Sequence, residues 1–209
     1  MNPLRLYYAQ GTCSMSCLIA LEESGLAFQG IEVDWENPNA HLEELERLNP
    51  QGSVPLLINE DGRPLTQNAA ILEIIADRAP GSNLLAPVGT WARAETLSWL
   101  SWVASDLHKS FSPLFAISRI SQNASAQDDI RKWAIQNIRN QLALADSKLA
   151  QGPYLLGETF TIADTYLFVV AEWGIEMDLD YSEFPHLLAS LKQFRSRRSV
   201  KKAYLQSTA

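Results

Sequence analysis

Cysteine is nearly absent: the 209 residues hold two, too few for a disulfide-stapled scaffold. The thiols are therefore expected to be free, in a reducing compartment, the cytoplasm. No apolar run reaches the ~18 residues that a membrane span requires. The opening MNPLRLYYAQ lacks the charged start and apolar stretch of a secretory leader. No membrane partner is expected. Positive charge is also scarce, 17 basic against 24 acidic residues for a formal charge of −7. A general nucleic-acid binder displays a clustered basic face. The one dense basic run, between Arg195 and Lys202, reads more simply as the solvated face of a last helix, so no nucleic-acid partner is expected. Nor does the chain show internal repeats or low-complexity tracts. What is there is a 46% hydrophobic composition, enough to bury a core across one large domain or two small ones.

The first eighty residues alternate between the two hydrophobic periods. LRLYY is a short strand. Ser14 or Ser16 can cap a helix that runs to Glu23, and Gly25 can end it. IEVD (31–34) is the next strand, AHLEELERLN an amphipathic helix, VPLLI (54–58) a strand, and PLT another after a turn at Glu60, Asp61 and Gly62. NAAILEIIADR closes the series as a helix. The order is β-α-β-α-β-β-α, one parallel unit, then a hairpin and a helix. Residues 79–89 carry two prolines and two glycines and read as a linker. Beyond them, helical spacing dominates over 91–111, 127–149, 162–176 and 186–198. The expected organisation is an α+β N-terminal domain over 1–80, a linker over 81–90 and an all-α helical bundle over 91–209.

Cys13 sits where a strand gives way to a helix, in LYYAQGTCSMSC. A thiol opening a helix meets unpaired N–H groups and the positive end of the dipole, which favour the thiolate and predict a lowered pKa. The alternative is an inert, half-buried cysteine. Cys17 comes one turn later on the same face; its C-x-x-x-C spacing is not that of a redox pair, and it reads as a buried apolar residue, with a resolving thiol as the lesser alternative. In NPQGSVPLL, a Val-Pro step opens a strand. A cis bond there would leave the Val54 N–H and C=O free to pair with an extended peptide, whereas an ordinary trans proline is the plain alternative. In LTQNAAI, Gln67 and Asn68 stand among the free amides of a helix start, suited to a carboxylate; simple capping by Asn68 is compatible with that.

The second half adds three signals. Ser98, Ser101, Ser105 and His108 fall on one helical stripe, a cleft or subunit seam rather than a core or an ordinary solvent face. The ordinary pKa of His108, ~6.5, suits it to hydrogen-bond or to exchange a proton near neutral pH. Thr161 and Asp164 have capping-box spacing ahead of a helix apolar nearly all round, which makes that segment structural and buried.

A β-α-β-α-β-β-α unit with a strand-end cysteine, SVP and then TQN resembles the thioredoxin-like N-terminal domain of the glutathione transferases, and the bacterial beta class in particular. LYYAQGTCSMS is similar to the class opening LYYxPGxCSxS, and NPQGSVP to NPKGQVP. WLSWVASDLHKSFSPLF is similar to WLNFxASExHKGFSPLF, and GETFTIADTYLF to GxxFTxADAYLF. The resemblance implies a glutathione S-transferase that conjugates glutathione thiolate to small hydrophobic electrophiles, with glutathione as co-substrate, no metal, and a homodimeric assembly. It implies catalytic roles for Cys13 and His108, and glutathione contacts from Cys13, Ser14, Val54, Gln67, Asn68, Ser101, Ser105, Asp106, His108 and Lys109. The electrophile would lie near Phe111, Leu114 and Phe115, although core packing is the simpler expectation for those three. Two alternatives stay open: glutathione-dependent disulfide reductase or peroxidase chemistry through Cys13, and a non-catalytic glutathione-binding or regulatory protein on the same fold. Of three departures from the class, the first two motivate the second alternative. DWENPNAH lacks the class lysine, Gln67 stands where a glutamate is common, and Ser101 replaces an asparagine.

Overall fold

The computed structural model describes residues 3–206. A four-stranded sheet of order β2-β1-β3-β4 is built from β1 (Leu4–Tyr8), β2 (Phe28–Glu32), β3 (Leu56–Ile58) and β4 (Pro64–Thr66). β1 and β2 are parallel; β1 with β3 and β3 with β4 are antiparallel. With α1 (Ser14–Ser24), α2 (Ala40–Leu48) and α3 (Asn68–Arg78), this is the β-α-β-α-β-β-α order that the periodicities imply, and the thioredoxin-like arrangement that the resemblance implies. Along β1, Leu4, Leu6 and Tyr8 enter the main core, whereas Tyr7 points to the opposite face. There it packs in a second cluster with Ile31, Val33, Leu42, Leu45, Leu56 and Ile58. A strand with period-two side chains and helices on both faces is buried on both sides, and in β1 only Arg5 stays partly exposed.

Two strands differ from expectation. β2 starts at Phe28 rather than Ile31, because its register with β1 runs from Leu4↔Phe28 to Tyr8↔Glu32. Gln29 and Gly30 are exposed on this edge strand and carry no apolar signal. β3 starts at Leu56 rather than Val54; Pro55 has no N–H to give to a ladder.

The rest is helical: α4 (Trp91–Trp102), α5 (His108–Phe115), α6 (Ile117–Ile120), α7 (Ala124–Leu149), α8 (Ile162–Glu176), α9 (Pro185–Ser196) and α10 (Arg198–Gln206). Before them, Leu84 and Leu85 of the proline- and glycine-rich stretch are buried, and the Leu84 carbonyl accepts the Ile162 N–H at 3.0 Å. α8 is the central post of the bundle. Its Thr161–Asp164 capping box is formed, and most of its residues are buried in the core that also takes in α1 and α3.

α4 and α5 are one rod interrupted by a π-helical turn, Val103–Leu107, in which the His108 N–H reaches back to the Val103 carbonyl. Such a turn inserts extra chain and shifts the phase of the helix beyond it. The uniform stripe expected from the sequence is therefore broken. Ser98, Ser101, Ser105, Asp106 and Lys109 are exposed, while His108 is drawn partly inward against α8.

α10 lies beyond the last helix the periodicity predicts. Arg197, with extended ψ of 140°, separates it from α9. The basic run holds it down through intramolecular carboxylates: the Arg197 guanidinium donates to both Glu23 oxygens at 2.7 and 3.0 Å, Ser199 donates to Glu23, and Lys202 pairs with Glu22. The C-terminal helix is thereby strapped to the end of α1.

Candidate active site

The strand register gathers three loops at one edge. Tyr7 pairs with Leu56 and Leu56 with Thr66. The chain leaving β1 toward Cys13, the chain entering β3 through Val54, and the chain leaving β4 through Gln67 therefore emerge side by side.

The first loop is folded by its own hydroxyls. The Ala9 N–H donates to Ser14 Oγ at 3.0 Å, Thr12 Oγ1 donates to the Ala9 carbonyl at 2.8 Å, and the two hydroxyls are 2.6 Å apart. Cys13 itself occupies the N-cap of α1 and makes no side-chain capping bond. The expected caps, Ser14 and Ser16, lie inside the helix instead. Ser14 is fully buried, and its oxygen is occupied by Ala9 and Thr12.

Cys13 meets the helical half at α8 and α5. The Tyr166 hydroxyl stands 2.6 Å from His108 Nδ1. It also acts on the Cys13 thiol, whose pKa it lowers by hydrogen bonding. The His108 ring is held edge-on by Trp173, centroid to centroid 4.8 Å. Lys109 is close enough to act electrostatically on both Cys13 and His108. The local rule for a helix-opening thiol is overturned here: burial pushes the Cys13 pKa up to about 11, outweighing the helix amides, Lys109 and Tyr166. The ordinary histidine pKa does not hold either. Burial, helped by Lys109, brings His108 down to about 4, so at neutral pH its imidazole is uncharged.

The third loop is tied to the first. Asn68 Nδ2 donates to Ser16 Oγ at 2.9 Å, and Asn68 Oδ1 accepts from the Cys17 thiol at 3.1 Å. Asn68 is thus the first residue of α3 and a bridge to α1, rather than its cap. The N-cap is Gln67, exposed and at φ 75°, ψ 114°. Positive φ in a non-glycine residue costs about 1–3 kcal/mol and gathers at functional sites. Gln67→Gly is accordingly expected to raise the stability by roughly 0.5–1 kcal/mol in thermal unfolding; a loss would mean that the glutamine side chain holds the loop. Within α3, the Ile71 N–H bonds to the Gln67 carbonyl, which leaves the amides before it without helical partners.

The second loop is braced by Asn49, whose Nδ2 donates to the Ser53 carbonyl at 2.8 Å while its Oδ1 accepts the Gln51 N–H at 3.1 Å. The Val54–Pro55 bond is cis. Among the described residues, neither the N–H nor the C=O of Val54 has a hydrogen-bond partner.

Cys13, His108 and Lys109 are therefore brought together, and Val54, Gln67 and Asn68 line the same edge of the sheet. Ser101, Ser105 and Asp106 lie on the exposed face of the rod, where Ser105 donates to Asp106. Of the three apolar residues expected in the core, Phe111 is buried there and Leu114 packs against it, but Phe115 is 51% exposed and stands edge-on to Trp173. Periodicity misses two residues. Tyr166 is concealed in an apolar helix, and its signal is the hydroxyl itself, since a buried phenol needs a partner. Trp173 likewise carries a polar group. Its buried indole N–H is the one buried side-chain polar atom among the described residues without a partner.

Two family descriptions match the chain: glutathione S-transferase, N-terminal domain, over residues 11–78, and glutathione S-transferase, C-terminal domain, over 113–198. The chain is 32% identical to glutathione S-transferase GstA of Escherichia coli O157:H7, over 96% of each sequence. It is similar to the solved sphingomonad glutathione S-transferase complexed with glutathione, at 34% identity and a TM-score of 0.88 over 98% of each chain. It is also similar to the bacterial beta class glutathione S-transferase of Sphingomonas chungbukensis, at 34% identity and a TM-score of 0.86, covering 97% of this chain and 98% of that one.

Proposed function

The chain belongs to the glutathione S-transferase family, and from that premise we propose that the convergent edge clasps glutathione and directs its thiolate at small electrophiles. The observation that carries this reading is the pairing of an open Val54 backbone with the free leading amides of α3 at the edge where Cys13 emerges. An extended tripeptide pairs its own backbone with the Val54 N–H and C=O as a further strand would. Its γ-glutamyl carboxylate sits on the α3 amides beside Gln67 and Asn68, where the dipole favours negative charge. Its sulfur then lies against Cys13, near His108 and Lys109. The electrophile rests on the exposed side of Phe115 and Leu114. The protein works as a cytoplasmic homodimer, and Ser101, Ser105 and Asp106 on the exposed face of the rod serve the seam.

The thiol chemistry favours transfer over covalent disulfide exchange. With Cys13 held up to about 11, its resting form at neutral pH is the thiol, a poor nucleophile. Turnover of glutathione with an activated aryl halide tests the reading. The parent turns over, and Cys13→Ala retains kcat/KM within about tenfold, the worth of one hydrogen bond to the sulfur. A loss of several hundredfold would instead assign the reaction to Cys13 itself. Affinity is reduced by the missing lysine and by Gln67, each worth about 1 kcal/mol or more. Calorimetry is expected to give a Kd above the low micromolar range, and a value within it would contradict this.

A further inference from the structure

We infer that Tyr166 is the hydroxyl that stabilises a thiolate at this site, and that His108 acts through it rather than on the sulfur. The phenol is the group the two residues share: it is 2.6 Å from His108 Nδ1, and Cys13 packs against the core cluster that holds Tyr166, within reach of its hydroxyl. Ser14, the hydroxyl nearest Cys13 in sequence, is buried and engaged by Ala9 and Thr12. The His108 ring has no other hydrogen bond among the described residues, and Trp173 fixes it edge-on. An uncharged imidazole cannot offer the sulfur a full positive charge. It can donate Nδ1–H to the phenol oxygen, which turns the phenol O–H toward the sulfur. Donors in series polarise one another, most effectively away from water, and Tyr166 is 3% exposed. Burial also drives the phenol's own ionisation above its usual range, so at neutral pH it remains a donor. When the thiol ionises, its proton leaves to water and Tyr166 keeps its own. On this basis Tyr166 is the catalytic residue and His108 a positioning residue. The sulfur is that of Cys13 in the free protein and, resting on the reading above, that of glutathione in the complex.

The test uses the free full-length chain and no glutathione, so its outcome is separate from that of the glutathione reading. Alkylation of Cys13 by iodoacetamide is tracked by fragment mass spectrometry, which distinguishes it from Cys17, between about pH 7 and pH 10. Tyr166→Phe is expected to slow the reaction roughly tenfold at each pH, as loss of one hydrogen bond to a charged acceptor does. His108→Ala is expected to slow it severalfold. His108→Gln, which keeps an N–H, is expected to recover most of the parent rate. The double variant Tyr166→Phe with His108→Ala is expected to be no slower than Tyr166→Phe alone, because the second residue works through the first. A parent-like or faster Tyr166→Phe, or a double variant slowed by the product of the single effects, would overturn the assignment. Melting temperatures of all variants are recorded alongside, and His108→Gln against His108→Ala decides the matter if Tyr166→Phe does not fold.

Discussion

Asp164→Ala is expected to cost about 3–5 kcal/mol of stability. The carboxylate is fully buried and takes three donors: the Leu155 N–H at 2.7 Å, and the Thr161 N–H and Thr161 hydroxyl, each at 2.8 Å. Its removal leaves two backbone donors buried and unmatched, each costing about 1–3 kcal/mol, and it undoes the cap of the helix on which the bundle is built. Thr161→Ala removes only the hydroxyl side of the box, so the smaller loss of about 0.5–2 kcal/mol typical of a cap is expected. Urea unfolding at unchanged m-value measures both. An Asp164→Ala loss below that of Thr161→Ala would mean that the start of α8 is held by packing and not by this carboxylate. Neither residue contacts the sulfur site. At temperatures where the variants remain folded, turnover should therefore survive.

The Cys13 thiol of the free protein is expected to react far more slowly at neutral pH than an ordinary cysteine. Burial raises its pKa from 9.0 to about 11, and a raised pKa means less thiolate at any pH below it. Two units reduce the thiolate fraction about a hundredfold; the more basic thiolate is intrinsically more nucleophilic and recovers part of that, leaving roughly a tenfold deficit in rate. The pH profile is the cleaner reading. An unperturbed thiol levels off above its pKa near ~8.5, whereas the rate at Cys13 should still climb at about pH 10. A plateau below about pH 8 would show that the helix amides and Lys109 overcome burial after all. That outcome would restore the resting thiolate, and with it the case for disulfide chemistry at this residue.

How far the sequence is legible depends on the range of the forces involved. The alternation of periods two and 3.6 reveals the β-α-β-α-β-β-α order, because each element buries its own face. The Thr161–Asp164 spacing reveals the cap, because a capping box is local. β2 is displaced because an edge strand with Gln29 and Gly30 is placed by pairing with β1, not by its own apolar pattern. α10 is not visible as a helix separate from α9 because its polar sequence is held by Val200 and Ala203 in the core and by ion pairs to Glu22 and Glu23, near the other end of the chain. At the site, Cys13, Val54, Gln67 and Asn68 can be named from the local grammar of strand ends and helix starts. Their electrostatics cannot: a helix terminus argues for a thiolate, and only the tertiary enclosure by α5 and α8 reverses it. Tyr166 escapes for the same reason, since an apolar helix advertises burial and says nothing of where one phenol ends. The π-helical turn before His108 has no periodic signature either, yet it separates His108 from the serines that share its nominal stripe.

A crystal structure of the chain grown with glutathione decides whether the open sheet edge is the binding site. The tripeptide is expected along that edge, its cysteinyl backbone paired with the N–H and C=O of Val54, its γ-glutamyl carboxylate on the leading amides of α3, and its sulfur between Cys13 and Tyr166. Glutathione ordered elsewhere on the molecule, or bound with Val54 unpaired and the sulfur turned away from Cys13, would show that the edge serves another purpose.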